Sequence, residues 1–124
     1  MPSWVVLVVV PTPLQALCSK ALEGSAFTTC LADDLATGKA LCGALEPDLV
    51  IVDEALLLEH RSADEPALLH GFNALPTVVL TADGDIQNAV RALQAGSADC
   101  LEKSRISSSL VRLAYKLLGD PHGL

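Results

Sequence analysis

The stretch PDLVIVD, residues 47–53, decides how the rest of the chain is read. Positions 49–52 are all apolar, β-branched at Val50, Ile51 and Val52, and the run stops abruptly on Asp53. A strand with one face in water alternates apolar and polar residues. One that is apolar throughout is covered on both faces, as in a parallel sheet lying between helices. WVVLVVV at residues 4–10 and TVVLT at 77–81 repeat the pattern, and 26–31 and 98–101 are shorter strand-like runs.

Between these runs the apolar period lengthens to that of a helix. Leu14, Leu17, Cys18, Ala21 and Leu22 fall on one helical face, with Thr12 as cap, Pro13 in the first turn and Gly24 at the end. Asp33 and Asp34 open a second helix with Gly38, Leu41, Cys42 and Leu45 inward, and Pro47 stops it. Asp85 caps a helix carrying Ile86, Ala89, Val90 and Leu93, closed by Gly96. Ser107, Ser108 and Ser109 start the last helix, with Leu110, Leu113, Ala114, Leu117 and Leu118 inward. Residues 54–74, broken by Pro66 and Gly71, suggest only one short helix near 66–72. Five strands alternating with five helices predict an α/β fold: a five-stranded parallel sheet, doubly wound as (βα)5.

Composition bounds the function. The chain has 124 residues, the size of a single domain, with an expected core at 4–118 and a tail at 119–124. Eight Lys and Arg against fifteen Asp and Glu give a net charge of −7, which disfavours nucleic acid as a partner because a phosphate backbone demands clustered cations. Trp4, Phe27, Phe72 and Tyr115 are too few for a base-stacking surface. The apolar run at 4–10 is far short of the ~20 residues of a membrane span, and Met1-Pro2-Ser3 lacks the basic start of a signal peptide. Cys18, Cys30, Cys42 and Cys100 are too widely spaced for paired zinc ligands and read as buried thiols of a cytoplasmic protein. His60, His70 and His122 form no cluster along the sequence.

In doubly wound folds the chemistry sits at the carboxyl ends of the strands. Asp53, Thr81 and Lys103 each lie just past a predicted strand, so the fold should bring them to one rim. A carboxylate, a hydroxyl and an ammonium there suit phosphoryl transfer to the carboxylate: Asp53 attacks, Lys103 neutralises phosphoryl oxygens, and Thr81 donates to one of them. Each residue alone is commonplace at a strand end; their joint placement carries the reading. No glycine-rich phosphate loop is present, which disfavours a nucleotide-binding member of the class.

Over residues 4–118 the sequence resembles the receiver domain of bacterial two-component response regulators, whose fold is flavodoxin-like. The matching stretches are PDLVIVD (47–53), LPTVVLTADGD (75–85) and AVRALQAGSADCLEKS (89–104). The resemblance implies that Asp53 is the phospho-acceptor position, Thr81 the switch hydroxyl and Lys103 the family's lysine. Cys100 falls where the family usually has an aromatic that moves on activation. Residues 95–118 are similar to receivers that precede diguanylate cyclase, phosphodiesterase or sensory histidine-kinase modules, so the chain is expected to be an N-terminal module excised from a longer protein.

The departures from that pattern shape the functional expectation. Receivers end the first strand on an acidic pair that holds a divalent metal; Val10 and Pro11 stand there and offer no side-chain oxygen. Asp53 is left as the strong ligand, helped at most by a backbone carbonyl, Thr12, Glu54 or Asp83, so Mg2+ binding is expected to be weak or absent. The family's usual Pro–Gly-type loop is replaced by EALLLEHRS, and the proline after the lysine by Ser104. Lys103 is therefore expected to pair directly with Asp53. The leading expectation is a non-enzymatic, phosphorylation-impaired pseudo-receiver whose partners are proteins, a histidine kinase or a fused output domain, with a homodimer through residues 85–118. The alternatives are a working phosphorelay receiver phosphorylated on Asp53, and a sensor binding a small ligand or anion at the vacated rim.

Overall fold

The computed structural model describes residues 4–24, 26–59, 72 and 75–119. Its chain order is β1 (Trp4–Val9), α1 (Thr12–Leu22), β2 (Phe27–Ala32), α2 (Leu35–Leu45), β3 (Leu49–Asp53), α3 (Glu54–Glu59), β4 (Thr77–Thr81), α4 (Ile86–Gln94), β5 (Asp99–Glu102), a 3-10 turn (Lys103–Arg105) and α5 (Ile106–Leu118). All strand pairs are parallel and the sheet order is β2-β1-β3-β4-β5. The expected doubly wound, flavodoxin-like α/β fold is the one observed.

The continuous apolar runs are explained by cover on both sheet faces. Val6, Val8, Val10, Leu49, Ile51, Val78 and Leu80 pack toward Cys18 and Leu22 of α1 and Ile106, Leu110 and Ala114 of α5. Their neighbours Leu7, Val9, Val50, Val52 and Val79 face Leu35 and Cys42 of α2, Leu56 of α3 and Phe72. At Gly38 helix α2 runs so close to β1 that an added Cβ would sit 2.7 Å from a Val9 methyl. Near the opposite end of the strands from the rim, the Tyr115 hydroxyl accepts from the Ala26 N–H at 3.2 Å and its ring stacks obliquely on Phe27.

Several local expectations are corrected. Thr12 is the first helical residue rather than the cap; Pro11 occupies the cap position and no side chain bonds there. Asp34 does cap α2, accepting from the Thr37 N–H at 2.7 Å. Gly38 and Cys42 of that helix are buried as expected and Leu41 packs against the core, but Leu35 joins them in place of Leu45, which is 43% exposed because the helix ends there, with Glu46 in a left-handed conformation. A helix starts at once after Asp53 rather than after a long irregular segment. The helix expected near 66–72, the three histidines and the tail beyond Gly119 lie outside the described residues, save Phe72, which is fully buried. The last helix begins at Ile106, after the 3-10 turn, not within the serines. On α4 the apolar residues read at helical spacing do not form a buried face: Ile86, Val90 and Leu93 are exposed, and none of the helix's residues is buried.

Among the described residues no helix is long and apolar enough to cross a membrane.

Candidate functional site

Strand order reverses at β1: the chain steps to β2 on one side and then to β3 on the other. A crevice opens at the carboxyl ends of strands flanking such a switch. Register fixes what lines it. Val9 pairs with Val52 and Asp53 with Leu80, so Val10 and Asp53 end adjacent strands, and Thr81 lies one residue past Asp53's partner. Thr81 pairs with Glu102, and Lys103 follows. Asp53, Thr81 and Lys103 thus share one rim, with Val10 and Pro11 at its β1 end.

Asp53 continues the face of Leu49 and Ile51 and is 1% exposed. Its Oδ1 receives the Lys103 ammonium at 2.9 Å and the Ala55 N–H at 2.9 Å. The expected Lys103–Asp53 pair is therefore present, with the lysine side chain 30% exposed and its carboxylate partner buried. Desolvation offsets much of the attraction in such a pair, while losing one partner strands the other charge, so the pair fixes geometry more than it adds stability. Oδ2 is buried and has no hydrogen-bond partner. Thr81 is buried at the end of β4, and Val10 is fully enclosed against α1 and α5.

Glu54, named from the sequence only as a minor candidate ligand, is a second buried carboxylate at this rim. Its Oε1 accepts from the Ala82 N–H at 2.9 Å, across to the loop after β4, and its Oε2 is buried without a partner. No local pattern reveals this; only the β3–β4 register brings Ala82 within reach of the residue after Asp53.

The β4–α4 and β5–α5 loops are stitched together. Asp83 Oδ1 accepts from the Ser104 N–H at 3.1 Å, and Glu102 Oε2 accepts from the Gly84 N–H at 2.7 Å. Ser104, where the family pattern has proline, supplies a donor that proline lacks. Its hydrogen bonds hold the exposed Asp83 carboxyl below the usual carboxylate range. Asp85 caps α4, accepting from the Asn88 N–H at 3.1 Å.

Cys100 lies on β5, half-buried, its thiol directed to the Ala89 carbonyl at 3.4 Å. Burial pushes that thiol up, Ser97 opposes the shift, and Asp99 and Glu54 add to it. Cys18 on α1 is pushed up to about 11, by burial first and the Asp53 charge second. Both thiols are thus held in the less reactive neutral form.

The donor set at the rim fits a magnesium ion poorly. Magnesium takes six oxygens in a near-ideal octahedron and is usually anchored by carboxylates. Val10 and Pro11 supply none, and one Asp53 oxygen is committed to Lys103 and Ala55. Among the described residues no three of His, Cys, Asp and Glu converge as metal ligands.

A doubly wound parallel sheet in the order β2-β1-β3-β4-β5 is the fold of response-regulator receiver domains. Its structural neighbours are response-regulator receiver domains. The chain is 27% identical to the receiver domain of NtrX from Brucella abortus, over 92% of this chain and 97% of that one, with a TM-score of 0.72. It also matches longer NtrX from the same organism in complex with ADP, at 25% identity and a TM-score of 0.76, spanning 95% of this chain but only 26% of that one. A response regulator from Thermotoga maritima shares the fold at 21% identity and a TM-score of 0.78, over 96% of this chain and all of that one. No family model matches the sequence, and no curated protein does.

Proposed function

We propose that this chain is a pseudo-receiver: a cytoplasmic, non-enzymatic signalling module that acts through protein contacts, with Asp53 in the phospho-acceptor position but impaired as an acceptor. The observation that carries the reading is the β1 end of the rim, where Val10 and Pro11 stand beside a carboxylate already bound by Lys103. A phosphoryl group approaching Asp53 is itself anionic, and a divalent cation normally offsets that repulsion. With no carboxylate from β1 to anchor the cation, Mg2+ binding is weak or absent and the repulsion stands. Thr81 and Lys103 keep the switch and phosphate-contact positions and Cys100 the position of the moving aromatic, so the scaffold of the signalling rim is retained without its metal.

The contact surface of this reading is α4 and its neighbours, within residues 85–118. Ile86, Val90 and Leu93 are spaced four and three residues apart, forming one exposed apolar stripe. Such a stripe suits another helix of a kinase, of a fused output domain or of a second copy. As the module spans only 26% of the longer NtrX chain it matches, an output domain elsewhere in a longer protein fits the same reading. Concentration-dependent sedimentation that disappears in Val90→Glu is the expected sign of a homodimer.

The test of the central claim is magnesium with acetyl phosphate, or with a beryllofluoride mimic, followed by NMR at Asp53, Thr81 and Lys103. No saturable shift is expected. Saturable shifts that vanish in Asp53→Asn would establish a working phosphorelay receiver instead.

A further inference from the structure

Three donors at the rim are engaged by carboxylates of consecutive residues. The Lys103 ammonium and the Ala55 N–H go to Asp53 Oδ1, and the Ala82 N–H goes to Glu54 Oε1. We propose that Glu54 is the resident anion of this rim: its carboxylate takes the place and the backbone donor that an external oxyanion would need on the β4 side, and so determines that the site rejects phosphate-type ligands. The inference deepens the pseudo-receiver reading and rests on its view of the rim as an oxyanion-type site.

Glu54 is ill explained as an ordinary first-turn acid. Such residues gain from the positive end of a helix while remaining in water. This one is 7% exposed and reaches the loop after β4, 28 residues along the chain. Burying a carboxylate is unfavourable unless its oxygens find donors, and here only one does. Asp53 is in the same condition, with Oδ2 buried and unpartnered. The rim thus carries two successive buried carboxylates, and the Lys103 ion pair answers only one of them. An arriving oxyanion would meet an occupied Ala82 N–H and an uncompensated negative charge together. Both effects point the same way: occupancy removes the donor, and in a buried setting the like charge is weakly screened.

The fold gives this arrangement its rigidity. The loop bearing Ala82 is held from its other side by Asp83 with Ser104 and by Gly84 with Glu102. The Glu54 contact therefore closes a chain of bonds linking the ends of β3, β4 and β5.

The experiment is a titration of inorganic phosphate, without magnesium or phosphodonor, into the 15N-labelled full chain and its Glu54→Gln and Glu54→Ala variants. The readout is the amide shifts of Ala55, Thr81 and Ala82, with circular dichroism to check folding. The unaltered chain should show no saturable shift. E54A should bind with an affinity about tenfold or more above it, centred on Ala82. E54Q keeps an acceptor for the Ala82 N–H but loses the charge, so it should fall between them. Any other order overturns the proposal, including an unaltered chain that binds as well as E54A. Should E54A fail to fold, the unaltered chain against E54Q decides: a gain supports the proposal and equality overturns it. A gain in the variants holds whether or not Asp53 accepts a phosphoryl group. Phosphorylation of the unaltered chain, by contrast, would defeat the pseudo-receiver reading on its own.

Discussion

Helix α5 lays Ile106, Leu110 and Ala114 fully enclosed against the sheet, beside α1, whereas α4 leaves Ile86 76%, Val90 46% and Leu93 49% exposed. Helix α4 follows β4, which is paired on both sides, and α5 follows the edge strand β5, yet both carry apolar residues at helical spacing. The difference lies in what stands opposite. The α5 stripe meets a sheet face already shared with α1, so each side chain is covered from two directions. On the other face, only Ala92 of α4 joins the core, beside the half-buried Cys100. An amphipathic pattern states that a helix has an apolar face; it does not state that the same chain will cover it. Where the cover is missing, the face is available to another chain.

The sharpest way to break this comparison is to truncate both stripes. Leu110→Ala or Ile106→Ala should cost about 2–5 kcal/mol in urea unfolding, as core truncations do. Leu93→Ala and Val90→Ala should stay within about 0.5 kcal/mol. Equal costs on the two helices would mean that α4 is covered within the monomer after all.

The rim extends the enclosed side, because Asp53 continues the face that packs toward α1 and α5. Lys103→Ala leaves a buried, unpaired carboxylate and should cost about 2–4 kcal/mol, somewhat below a fully buried pair because the ammonium is partly solvated. Asp53→Asn leaves a lysine that can turn to water and should cost less than about 1 kcal/mol. The unequal pair of losses, measured by denaturant unfolding, is the signature of asymmetric burial; equal losses would deny it.

Alkali gives the gentlest test of enclosure. The Cys18 thiol ionises near its ordinary pKa of 9.0 when unfolded and only at about 11 when folded. A raised folded-state value means that its contribution is complete below pH 9 and lost as pH climbs toward 11. There the unfolded chain releases a proton that the folded one retains. Stability should fall through that window by at most ~1.4 kcal/mol per pH unit for this thiol. Burial raises the Cys42 thiol as well, in the same direction. The measurement is chemical denaturation from pH 8 to 11, and a flat profile would contradict an enclosed α1.

Much of the rim was legible because strand ends in a parallel sheet converge. Asp53, Thr81, Lys103, Val10 and Pro11 each stand at the end of an apolar run, and topology alone gathers such ends. Even the ion pair followed from charge balance, once Val10 and Pro11 replaced a carboxylate pair. Glu54 was not legible in the same way. Its role depends on a hydrogen bond to Ala82, and a bond across 28 residues has no local signature. Thr12 misled because a threonine before a proline is a good cap, yet the chain leaves β1 so directly that Pro11 takes that position.

By itself, then, the sequence determined the alternation of strands and helices, the parallel sheet and the company of residues at its rim, because hydrophobic periodicity and strand ends are local properties of the chain. Tertiary structure alone decided which apolar faces are covered and which carboxylates find donors. Those outcomes depend on what a neighbouring element presents across the gap. The exposed stripe of α4 and the buried carboxylate of Glu54 are the two places where that dependence shapes this protein most.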